Sequence, residues 1–156
     1  NAVGNENSIA NGDGMGYKGG EGNLYSQDFE IPEDILKTKP QNSRIPKGWF
    51  DIGGKISVDK NNTWTYIGSQ NQTVTYNNNY ADFKGSGYVK QEVNIGEFKS
   101  RPDDCRRANK LAPNGPKSPD SVWHHNEDEQ TMQEINKIIH EMFTHKGGFS
   151  KMKKNK

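Results

Sequence analysis

Residues 121–148 read SVWHHNEDEQTMQEINKIIHEMFTHKGG. The stretch opens on Val122-Trp123-His124, a short run of β-favouring residues. Asn126 to Gln130 is polar and reads as a turn. Thr131 to Ile135 fits either a second strand or a first helical turn. Asn136 is a good N-cap, because its short side chain can accept from backbone N–H groups left without partners at a helix start. Ile138, Ile139, Met142 and Phe143 then supply an apolar face, and Gly147-Gly148 can end the helix. The expected order is strand, turn, strand, helix.

All four histidines of the chain lie in this stretch, as His124, His125, His140 and His145. Neutral imidazole ligates transition metals and acts as a base near neutral pH. Adjacent strand residues point to opposite faces, so His124 and His125 share one site only if the strand kinks or ends there. His145 lies five residues after His140, about 140° round an ideal helix. Those two rings converge only if the helix finishes between them. The metal triad that results is His124, His140 and His145, with an open position for water or phosphate. His140-Glu141 followed by His145 also invites comparison with the zinc-peptidase helix. That motif needs its histidines at i and i+4, and the spacing here is one residue too long.

Upstream, Ser100-Arg101-Pro102-Asp103-Asp104 opens a helix. Ser100 caps it, Pro102 suits the first turn and the two aspartates favour the positive end of the dipole. The helix is expected to reach about Leu111, before a Pro- and Gly-rich loop. Between 49 and 98, Ile56 with Val58, Trp64 with Tyr66 and Val74 with Tyr76 alternate with polar residues. Asn-rich breaks at 60–62, 70–72 and 77–79 separate these runs, and Val89, Val93 and Ile95 suggest one more strand. Period-2 alternation of this kind indicates antiparallel strands. Residues 24–48 mix short apolar pieces with prolines, so only a short helix near 32–37 is expected there. Residues 1–23 are rich in Gly and Asn and read as a flexible linker or arm.

The fold class is thus α+β. Its expected layout is an arm at 1–23, an irregular segment and antiparallel strands at 24–98, a C-terminal core at 99–150 and a basic tail at 151–156. Hydrophobic residues make up 29% of the 156, so the core must be small or part of the chain irregular. No apolar run approaches the ~20 residues needed to cross a bilayer. The chain starts at Asn1 rather than Met, and is expected to be cut from something longer. The single cysteine, Cys105, excludes an internal disulfide and a Cys-based zinc site. Net charge is +1, but residues 101–156 carry eight acidic and eleven basic side chains, so the basic surplus lies with the histidines.

Trp-His-His, then Thr-Met-Gln, Ile-His and His-x-Gly-Gly, in this order from Trp123 to Gly148, resembles the Trp-His-His branch of the HNH/endonuclease VII nucleases. The Ser100–Asn109 helix extends the likeness, so it covers roughly 92–150. The resemblance implies a ββα-metal (His-Me finger) core and a toxic C-terminal domain of a bacterial polymorphic toxin. His124 would be a metal ligand and His125 the base that deprotonates the attacking water. His140 and His145 would complete the metal site. The asparagine of the HNH name falls on Gln133 or Asn136. Arg101 matches the family pattern and is the expected phosphate contact.

The physical case agrees. Phosphodiester hydrolysis needs an activated nucleophile and a cation to balance developing charge. A metal-bound ring cannot also be the base, so four histidines divide into three plus one. The cofactor would be a divalent ion, with Zn, Ni and Mg all open. The substrate would be DNA, with RNA the alternative, cut with little sequence preference because nothing resembles a base-reading module. Delivery from a bacterium into the cytoplasm of a target cell implies a cognate immunity protein, expected to be acidic. The sheet at 50–95 is a candidate surface for it. A rival reading is a non-enzymatic binding module with a structural His-bound zinc.

Overall fold

A computed structural model describes residues 22–143. The arm up to residue 21, the basic tail, His145 and the Gly147-Gly148 helix stop lie outside the described residues. The chain divides after Asp82 into two compact units.

The first unit holds β1 (Asn23–Tyr25), α1 (Glu33–Leu36), α2 (Pro46–Asp51), β2 (Lys55–Val58), β3 (Trp64–Ile67), β4 (Thr73–Asn77) and β5 (Tyr80–Ala81). The strands form one antiparallel meander in sequence order. Tyr25, Ile56, Tyr66 and Val74 lie in register across four strands, and all are buried. Trp49 packs edge-on against Tyr66 at 5.5 Å, and Tyr76 meets the same ring at 5.2 Å. The buried polar tips are satisfied. Tyr66 Oη donates to the Arg44 carbonyl at 2.7 Å, Trp64 Nε1 to Thr38 Oγ1 at 2.9 Å and Trp49 Nε1 to the Lys55 carbonyl at 2.8 Å. The expected Asn-rich breaks are turns for a definite reason. Asn62, Asn71, Asn78 and Asn79 all have positive φ, which Asn tolerates better than other residues with a Cβ.

Residues 24–48 are more ordered than their composition suggests. β1 pairs onto β2, and α2 starts at Pro46, whose missing N–H costs nothing at a first helical position. Both elements are too short for a periodic signal, and both depend on the sheet they pack against.

The second unit holds β6 (Val89–Asn94), α3 (Arg101–Leu111), β7 (Ser121–His125), β8 (Thr131–Asn136) and α4 (Lys137–Met142). Its antiparallel sheet runs β6-β8-β7, with β8 in the centre. The open choice at 131–135 resolves to strand. As the central strand, β8 is hydrogen-bonded on both sides, and Met132 to Ile135 are all buried. Ser100 caps α3 by accepting from Asp103 N at 3.2 Å. α3 buries Asp104 and Ala108, and Ala108 joins Val93, Ile95, Phe98, Trp123 and Met132 in a small core. The α4 face differs from expectation. Ile138 is 67% exposed while Phe143 is fully buried. A helix of six residues buries little, and the buried position falls to Phe143, just past its end, rather than to Ile138.

Candidate active site

β7, a tight turn, β8 and α4 follow one another without a gap, so the expected strand–turn–strand–helix order is present. Asp128 makes the turn: its carboxylate accepts from Gln130 N, Thr131 N and Thr131 Oγ1. Asn136 then ends β8 and starts α4, with Oδ1 accepting from Ile138 N at 2.9 Å and Ile139 N at 3.2 Å. One cap therefore sets the angle at which α4 presents His140.

Strand alternation divides the histidine pair. His124 faces α4. Its ring lies 5.5 Å from that of His140, edge to face, and both rings pack on Phe83, at 5.3 and 6.1 Å. His125 faces α3. Its Nε2 lies 3.1 Å from Asp104 Oδ2, and its ring meets Phe98 at 4.6 Å. Trp123 shares that face and donates its indole N–H to Asn109 of α3 at 2.8 Å. The structure thus brings His124 and His140 together and holds His125 on the other side of the strand, at its last residue.

Asp104 is a site residue that its local sequence does not mark. In sequence it is a first-turn acid that favours the helix dipole, yet it is fully buried. It accepts from Lys99 N at 3.0 Å, pairs with Arg107 at 2.7 Å and meets His125. Arg107 also donates to the carbonyls of Ile95 and Glu97. A signal existed: Asp104 and Ala108 are four apart, so the buried face of α3 runs through the aspartate. Burial pushes the His125 pKa down, and Asp104 pulls against it without cancelling the effect, so the ring favours its neutral form.

Gln133 is the cross-strand partner of His124, and Glu92 is the partner of Gln133. Gln133 Nε2 donates to Glu92 Oε2 at 2.8 Å. Arg101 stands exposed at the start of α3, and its charge is felt at His125. Arg106 is exposed and paired with Asp103, as a solvated helix residue would be. Glu134 is the cross-strand partner of Trp123. It is buried, accepting from Gln91 Nε2 at 2.8 Å and Ser118 N at 3.0 Å, and so ties the 113–118 loop to the sheet.

Two imidazoles suit a divalent ion. With metal–nitrogen distances of about 2.0–2.1 Å and near-tetrahedral angles, ligand ring centroids stand roughly 5 Å apart. The 5.5 Å between His124 and His140 fits that geometry. Among the described residues, no three His, Cys, Asp or Glu side chains converge on one point. The expected third ligand, His145, lies outside them.

Residues 114–155 match the WHH family, a nuclease of the HNH/ENDO VII superfamily with conserved WHH. The conserved triplet stands here as Trp123-His124-His125. The match supports the Trp-His-His nuclease reading of this segment, and the α+β architecture with antiparallel sheets is compatible with it. No curated protein and no solved structure matches the chain. Among the described residues, no helix is long and apolar enough to cross a membrane.

Proposed function

We propose that the second unit is a metal-dependent endonuclease that hydrolyses DNA with little sequence preference. The observation that carries this reading is the pairing of His124 with His140 on the strand and helix that also bear the WHH match. His124 and His140, with His145, would hold the ion. A divalent ion there supplies positive charge to the oxygens of the reacting phosphodiester.

The remaining steps belong to the chain's own groups. Asp104, paired with Arg107, is a hydrogen-bond acceptor, so the His125 nitrogen facing it carries the proton. That leaves Nδ1 as the basic nitrogen, oriented by a buried carboxylate as base histidines commonly are. Burial keeps this ring neutral near pH 7, the form that takes a proton from water. Arg101 stands at the rim to meet a phosphate oxygen. Gln133, fixed by Glu92, borders His124.

The wider setting follows the resemblance: a toxin domain delivered from a bacterium into a target cytoplasm and neutralised by an acidic immunity protein. The test is plasmid nicking by the purified chain with Mg²⁺, Zn²⁺, Ni²⁺ or Mn²⁺ and an EDTA control. Cutting that requires metal and stops with EDTA is expected. Intact plasmid under every metal, with RNA cut instead, would move the substrate to RNA. Intact plasmid and RNA, with metal bound by four protein ligands, would favour a structural zinc module.

A further inference from the structure

Phe83 is 1% exposed and its ring lies against both His124 and His140. The next residue is Lys84, whose backbone is therefore anchored at the edge of the histidine face. Its side chain is 67% exposed, and Nζ is held by Glu92 Oε1 at 2.9 Å. The other oxygen of Glu92 accepts from Gln133 Nε2. Glu92, Gln133 and His124 lie in register on β6, β8 and β7, so all three stand on one face of the sheet. Strands spaced about 4.8 Å put the Glu92 column roughly 10 Å from His124. At about 3.4 Å of rise per nucleotide, that is the span of two or three nucleotides of one strand.

We propose that Lys84 contacts a phosphate flanking the scissile one, with Glu92 as the residue that aims it. This rests on the His124–His140 face being the nuclease site. The ammonium is a compact charge on a flexible, exposed stem, and its bond to the half-buried Glu92 carboxylate lies close enough to solvent to exchange for a phosphate oxygen. Glu92 then limits where the charge goes in the absence of substrate. Its pKa is lowered first by the Gln133 amide and then by Lys84, so it is ionised and able to hold the lysine at neutral pH. The substrate class that such a contact selects is a polynucleotide rather than an isolated phosphodiester.

The test binds a labelled DNA duplex to the whole chain in EDTA across a salt series, which reads the contact without any cutting. Lys84→Ala is expected to weaken binding several-fold and to reduce the slope of log affinity against log salt by about 1. Lys84→Arg should restore the slope. In the cutting assay Lys84→Ala should raise KM several-fold with little loss of kcat. Lys110→Ala, on the far side of the sheet, is the control. An unchanged slope in Lys84→Ala would overturn the inference. So would an equal loss in Lys110→Ala, because the effect would then be bulk charge. A wild-type chain that binds DNA with the Lys84-dependent slope but cuts nothing would instead overturn the nuclease reading alone.

Discussion

His125 Nε2 stands 3.1 Å from Asp104 Oδ2, joining the last residue of β7 to the first turn of α3 through two buried side chains. Its neighbour His124 meets His140 on the opposite face. One strand thus carries a ring held against a carboxylate and a ring packed against a second imidazole, in consecutive positions.

The two histidines should separate by assay. His124→Ala is expected to lose both metal binding and DNA cutting. His125→Ala is expected to keep metal affinity within a few-fold while cutting falls by at least 100-fold, the scale of a lost general base. Calorimetric metal titration beside plasmid nicking checks both. Wild-type cutting by His125→Ala would end its role as base.

Asp104 should matter to both chemistry and stability. Asp104→Asn keeps the shape but can present an amide N–H to the ring, so cutting should drop roughly 10- to 100-fold with metal binding retained. Asp104→Ala removes the carboxylate that Arg107, His125 and Lys99 N share, and should destabilise the fold by about 3 kcal/mol. Urea unfolding reads this as a lower midpoint at unchanged slope.

The α4 cap should link stability to metal binding. Asn136→Ala removes the acceptor for Ile138 N and Ile139 N, and should cost about 1 kcal/mol. Because α4 carries His140, metal affinity should fall with it, while Asn136→Asp should retain both. A variant that loses stability but binds metal as before would uncouple the cap from the site.

Glu134 predicts an acid limit. Burial raises its pKa, but hydrogen bonds from Ser118 N, Gln91 and Ser121, with the charge of Lys90, outweigh burial and leave it lowered. A carboxylate lowered in the fold stabilises above its unfolded pKa of ~4.3, and that contribution is lost as pH falls through the folded value. Wild type should therefore exceed Glu134→Gln in urea midpoint at pH 7, with the gap closing below about pH 4.5. A gap that holds unchanged to pH 3 would show that the charge is not what Glu134 contributes.

What could be read from residues alone was whatever is set within a few positions. Alternation marked the strands around Ile56, Trp64 and Val74. Asparagines marked turns because their backbone tolerates positive φ. Ser100 and Asn136 marked helix starts because a cap is a contact two or three residues away. The Trp-His-His run marked the family resemblance, because it lies in consecutive residues. The short β1 and α2 escaped, since neither is long enough to show a period.

Only the tertiary structure decided which face each of these residues serves. Asp103 and Asp104 are indistinguishable as first-turn acids, yet one is exposed to Arg106 and the other is buried against His125, 21 positions away. Phe83 reads as one aromatic among many until it lies under His124 and His140. Glu134 reads as a surface acid until Gln91 and the 113–118 loop close over it. These placements depend on burial and on partners distant in the chain. A local pattern carries no record of them, whereas the free energy of satisfying a buried carboxylate or ring does.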